Sequence, residues 1–320
     1  MGRRLAAAVT LFFALTLSTW RVAGQGAVQE FSVPGNRPHD VAPAADGGVW
    51  YTSQHSGELG HFNPRTGQTR LIKLGDGAAP HGVVTGPDGA AWITDGGLNA
   101  IVRVDARTSA VRVFPIGEQR ISANTPAFDK RGILWFTGQR GYYGRLDPAT
   151  GRVEVFDAPR GAGAYGIATA PNGDVWFASL ASSYIGRINP ANGQVTVFDP
   201  PTPRQGARRV WPDSKNRVWV SEWNSGNLSM YDPASNRWQA WKLPGQQPKA
   251  YAVYVDERDV VWVTDFQGDG NLVVRFNPTT EKFETFTLTK NALVRQLLGR
   301  PGEVWGAESG TNKLFVIRTR

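Results

Sequence analysis

Seven tryptophans recur in one frame, Trp50, Trp92, Trp135, Trp176, Trp219, Trp262 and Trp305, at intervals of 41 to 43 residues. A period of this length, with strand-like runs inside it, marks the blade of a β-propeller. Seven copies predict an all-β, seven-bladed β-propeller. Propellers host catalysis, binding and scaffolding alike, so function has to be read from the site.

One repeat shows the plan of a blade. Tyr165–Thr169 reads as an inner strand, and Pro171-Asn172-Gly173 as a tight turn, because Asn-Gly tolerates positive φ. Val175–Ala178 is the second strand, Ile185–Ile188 the third and Val195–Phe198 the outer one. The turn before the outer strand, Asn189-Pro190-Ala191-Asn192-Gly193, recurs as residues 63–67, 147–151, 232–236 and 277–281. Its Asx and proline residues are accounted for by turn chemistry rather than by a ligand. One indole per blade at a fixed strand position predicts packing between blades. The two ends of the chain do not match. Residues 28–33 resemble an outer strand, whereas the last repeat stops at Leu314–Ile317 without one. The N-terminal strand is therefore expected to complete the last blade and remove the exposed edges.

Residues 1–24 have the form of a secretory signal: Arg3 and Arg4, an apolar run from Leu5 to Leu17, then small residues before Gln25. Residues 25–320 are expected to form a single propeller domain, periplasmic or secreted, with no membrane anchor after cleavage. The absence of cysteine excludes disulfides and thiolate chemistry. The net charge is +8, three of it from Arg3, Arg4 and Arg21. No basic run interleaves with aromatic residues, so nucleic acid is not an expected partner. No interface signature stands out, and a monomer is expected.

Inner strands line the channel of a propeller, and the loops at its mouth converge. At the start of the inner strand the repeats carry His39, His81, Asn124, Tyr165, Arg208, Tyr251 and Val294. Fourteen residues later they carry Ser53, Asp95, Gly138, Ser179, Glu222, Asp265 and Glu308. A structural slot would repeat, as the tryptophans do. These vary and are mostly polar, as a binding site requires, although polar groups would also hydrate a water-filled channel. Glu222, Asp265 and Glu308 fall on three successive blades. Carboxylates so placed need a cation, such as magnesium or calcium, or ion pairs with Arg208, Lys249 or Arg295. His55 and His61 read as surface residues. No motif for an organic cofactor is present.

The repeat at residues 80–95, Pro-His-Gly-Val followed by Pro-Asp-Gly-Ala-Ala-Trp-Ile-Thr-Asp, resembles the streptogramin (virginiamycin B) lyase family. Arg37-Pro38-His39 and Trp219-Val220-Ser221-Glu222 are further copies. The resemblance implies a seven-bladed propeller and a C–O lyase that opens cyclic depsipeptide lactones by elimination, with Mg²⁺ steadying the enolate. The implied ligand is a small molecule or cyclic peptide at the channel mouth. The family's histidine positions on the last two blades fall here on Tyr251 and Val294, and its two glutamate positions on Ala292 and Glu308. Only Glu308 matches; neighbouring Arg295 could supply charge but not a base. A constellation shifted around the ring would use His39 and His81, with Asp95 fourteen residues after His81. The alternatives are a non-catalytic periplasmic propeller that binds a ligand or protein, and a metal-dependent lactonase.

Overall fold

The computed structural model describes residues 28–319; the expected signal segment, 1–24, lies outside that range. The described chain forms seven four-stranded antiparallel sheets arranged as a propeller. The first blade runs outward from the axis as Pro38–Pro43, Val49–Ser53, Glu58–Phe62 and Thr69–Lys73. The fourth follows its sequence pattern closely: Ala164–Thr169, Val175–Ser179, Tyr184–Ile188 and Val195–Phe198. Among the described residues no helix is long and apolar enough to cross a membrane.

The seventh sheet is closed by the N-terminal strand. Val28–Ser32 lies antiparallel to Lys313–Arg318, with Val28 opposite Ile317 and Ser32 opposite Lys313. Side chains reinforce the join. The Glu30 carboxylate accepts hydrogen bonds from the Thr289 backbone and hydroxyl at 2.7 Å and from the Lys313 ammonium at 2.9 Å.

The apolar core is divided into clusters between blades, each built around one indole. Trp50 packs with Val83, Ile93 and Val102 of the second blade, and Trp92 with Leu134 and Phe136 of the third. The pattern continues around the ring until Trp305 of the last blade packs with Val41, Val49 and Tyr51 of the first. All seven indoles are at most 2% exposed. Their N–H groups need acceptors at that depth. Trp92, Trp135, Trp219, Trp262 and Trp305 donate to Asp88, Asp129, Asp213, Asp256 and Glu303 at 2.8–3.1 Å. Trp50 differs. His61, expected on the surface, lies across its ring at 4.4 Å and pairs with Asp46. It occupies the cross-strand place that Arg103 takes opposite Trp92 and Arg275 takes opposite Trp262, so the imidazole replaces a guanidinium lid.

Truncating a buried tryptophan to alanine costs about 3–5 kcal/mol. Trp305→Ala is expected to lose that much, and deletion of residues 28–33 at least as much, because it exposes Lys313–Arg318 and strips Phe31 from the Trp305 cluster. Thermal unfolding checks both. A deletion that shifts Tm by less than about 2 °C contradicts this closure.

Candidate functional site

Each inner strand shows a register shift against the second strand of its own blade. A bulge leaves one backbone N–H outside the ladder and re-aims neighbouring side chains. That N–H must find an acceptor. In five blades a hydroxyl supplies it: Thr52 for Asp40, Thr94 for Gly82, Thr137 for Thr125, Ser221 for Arg209 and Thr264 for Ala252, at 2.9–3.3 Å. The same hydroxyls then donate to a carbonyl of the next inner strand. Thr52 reaches His81 at 2.8 Å, Ser221 Tyr251 at 2.5 Å and Thr264 Val294 at 2.9 Å, while Thr94 reaches Asn124 and Thr137 reaches Tyr165. The backbone of the mouth residues is thus tied blade to blade. The signal is present in the sequence as Trp-x-Thr or Trp-x-Ser in five repeats.

The structure brings the inner-strand residues into one ring, with a correction at the last blade. Val294 pairs with Glu308 as Pro38 pairs with Ser53, and Leu298 faces Trp305 as Ala42 faces Trp50. Arg295, not Val294, therefore stands where His39 stands in the first blade. The frame slips because the last inner hairpin is one residue shorter, turning at Pro301-Gly302.

One side of the ring is imidazole. The His39 and His81 rings lie 4.1 Å apart, and Asn124 bridges to His81 Nε2 at 3.1 Å. Burial lowers the pKa of both histidines, so both are neutral at pH 7. The other side is aromatic and cationic. Tyr165 and Tyr251 share a 2.5 Å hydrogen bond. The Arg208 guanidinium lies 3.5 Å from the Tyr251 ring centroid, 4.5 Å from Trp223 and 4.8 Å from Tyr165. Arg295 lies over Phe266 at 5.6 Å and Lys249 over Trp223 at 5.9 Å. Burial pushes the Tyr165 phenol up, but Arg208 and Arg209 outweigh it and its pKa falls. Tyr251, buried beside it, is pushed up.

Directly beneath lies a second layer that the sequence reading missed. Asp40 accepts from His39 Nδ1 at 2.8 Å and from Arg209 at 3.3 Å on each oxygen. Arg209 also donates to Thr125 at 3.3 Å. Burial opposes ionisation of Asp40, yet the Arg209 guanidinium holds its carboxyl down to about 2. This buried ion pair joins the inner strands of the first and fifth blades across the ring.

The second-slot acids do not join the site. Asp95 accepts the backbone N–H groups of Ala79, Gly97 and Leu98 at 2.9 Å. Asp265 accepts those of Lys249 and Gln267, and Glu222 binds Ser225 and Asn227. They cap the loops after their own strands. Among the described residues, the group of three or more His or acidic side chains with ligand atoms within 4.8 Å is His39, Asp40 and His81, so the ligand atoms of Glu222, Asp265 and Glu308 do not form such a group. Nor do they pair with Arg208, Lys249 or Arg295. Asp95 is likewise no partner of His81. The magnesium implied on the last blade does not fit the residues there. Ala292 offers no side-chain oxygen and Arg295 brings a positive charge. Glu308 turns along its blade to Thr311, beside Glu30.

The profile of the Virginiamycin B lyase family matches residues 16–275. The chain belongs to this family. The virginiamycin B lyase of Staphylococcus aureus superposes with a TM-score of 0.84 at 19% identity, covering 92% of this chain and 99% of that one. A streptogramin B lyase gives 0.83 at 18% identity, covering 92% and 98%. The extracellular domain of a hybrid two-component system from B. thetaiotaomicron gives 0.71 at 12% identity, covering 90% of this chain and 41% of that one. No curated protein matches. At these identities the likeness to the solved structures is one of fold.

Glu308 sits at the propeller closure, and its carboxyl is pushed up to about 7 by burial and by Glu30, with Thr311 pulling the other way. The folded chain holds that proton more tightly than the unfolded one. This contribution is complete below the ordinary value of 4.5 and is lost as pH rises through about 7. Glu308→Gln mimics the protonated form. It is expected to raise Tm by on the order of 2 °C or more at pH 8 and far less at pH 5. Thermal unfolding at both pH values checks this; equal shifts contradict it.

Proposed function

We propose that this chain is an exported member of the family that captures a small anionic ligand at the mouth of its channel. The carrying observation is the Arg208 guanidinium. It is stacked among Tyr165, Tyr251 and Trp223, its Nε is buried without a hydrogen-bond partner, and no described carboxylate pairs with it. A partly desolvated guanidinium so placed favours a carboxylate or an ester oxygen that takes up charge. Arg295 and Lys249 stand beside it, equally without acid partners among the described residues. The aromatic walls suit the apolar body of an acyl compound or a cyclic peptide. Export rests on the form of residues 1–24, and on fold neighbours described as extracellular domains.

A second reading, C–O elimination, is favoured by the His39–Asp40 pair. A carboxylate can only accept, so His39 donates through Nδ1 and keeps its lone pair on Nε2, the arrangement of an oriented general base. Arg208 and Arg295 would then steady the enolate in place of a metal. His39 takes the α-proton, the ester C–O bond breaks, and the product keeps the mass of the substrate while gaining a double bond.

The test uses residues 25–320. Calorimetry with benzoate is expected to show saturable binding that weakens with salt and falls about tenfold in Arg208→Gln, the loss of one charged hydrogen bond. Absence of binding, or indifference to Arg208, overturns the capture reading. A cyclic streptogramin B, followed by chromatography with mass spectrometry, tests elimination. Turnover insensitive to EDTA and reduced about 10²–10⁴-fold in His39→Ala supports it, and no turnover leaves capture alone.

A further inference from the structure

The far end of the channel, below the Asp40–Arg209 pair, holds a cavity of about 390 Å³ that the mouth chemistry does not use. Its origin is visible in the sequence. The inner-strand residue opposite each repeating tryptophan is Ala42, Val84, Ala127, Ala168, Trp211, Tyr254 or Leu298. All seven line the cavity. Three alanines share the ring with three large side chains on consecutive blades, so the ring is lopsided and leaves space. Trp211 and Tyr254 form one wall, edge to face at 5.0 Å.

The floor is polar and donor-rich. Gln296 spends its Oε1 on the Val41 N–H at 3.0 Å, leaving its amide NH₂ uncommitted. Arg209, only 4% exposed, has an Nε with no partner. The one acid present, Asp40, has both oxygens committed to Arg209 and one also to His39. The floor therefore offers hydrogen-bond donors and no free carboxylate. An unpartnered buried donor is costly and is relieved by a ligand acceptor.

We propose that this cavity is a second binding site, separate from the mouth, for a small apolar compound carrying one acceptor group: an aryl or branched-alkyl carboxylic acid or amide. The apolar body packs against Trp211, Tyr254 and Leu298, and the carbonyl oxygen meets Arg209 and Gln296. The volume lies at the low end of the range for small-molecule pockets, about 300–1,000 Å³, and is too small for a folded peptide.

The test is calorimetric titration of residues 25–320 with 4-phenylbutyrate and with neutral 4-phenylbutanamide. The amide separates this site from the cationic mouth, which selects charge. Both probes are expected to bind with dissociation constants on the order of 1 mM or tighter. Leu298→Arg, which fills the cavity, is expected to weaken the amide at least tenfold, and Trp211→Ala to weaken it several-fold, each in protein shown folded by its thermal transition. Failure of the amide to bind the wild-type chain, or binding unchanged in both variants, overturns the proposal.

Discussion

The whole site depends on how one backbone N–H per blade is satisfied. The bulge at the start of each inner strand takes that group out of the ladder, and burial forbids leaving it bare. In five blades a Ser or Thr two residues after the repeating tryptophan accepts it and passes a hydrogen bond on to the next blade. The tryptophan itself fixes the distance between the blades, because its ring fills the space between the two sheets. A single short motif thus sets both the spacing of the blades and the position of the residues they present. Such a frame keeps the ring rigid while the side chains at its mouth vary.

That separation lets the residues at the mouth vary without loss of the fold. The packing residues recur in every blade, so the fold survives substitution of the residues the mouth displays. On the last blade Arg295 stands where His39 stands on the first, and Glu308 is absorbed into the closure with Glu30 and Lys313. Positive charge stands without acid partners on one side of the mouth, and neutral imidazole on the other. The chemistry this supports is recognition of an acceptor or anion, with His39 oriented by Asp40 should a proton need to be taken.

Much of the architecture was legible because tryptophan spacing is a coarse signal that survives small changes in loop length. The closure was legible because residues 28–33 look like an outer strand and the last repeat lacks one. The ring of His39, His81, Asn124, Tyr165, Arg208 and Tyr251 was legible for the same reason. Finer placement was not. Counting a fixed interval put Val294 in the ring because a shorter turn at Pro301-Gly302 is invisible to the count. Asp40, Arg209 and Gln296 escaped notice because strict alternation hides them, and only a bulge turns them toward the axis. Glu222 and Asp265 looked like ligands, and Asp95 like a partner of His81, because a residue's type says nothing about whether its side chain points at the channel or caps its own loop.

The most direct test of this account is native-state hydrogen exchange at the backbone amides of Asp40, Gly82, Thr125, Arg209 and Ala252. These are the groups that the bulges release and the hydroxyls of Thr52, Thr94, Thr137, Ser221 and Thr264 recapture. The account predicts protection close to that of the central strands at all five, lost locally at Asp40 in Thr52→Val. Fast exchange at these amides in the unaltered chain would contradict it, and the mouth would then be a loose rim rather than a preset ring.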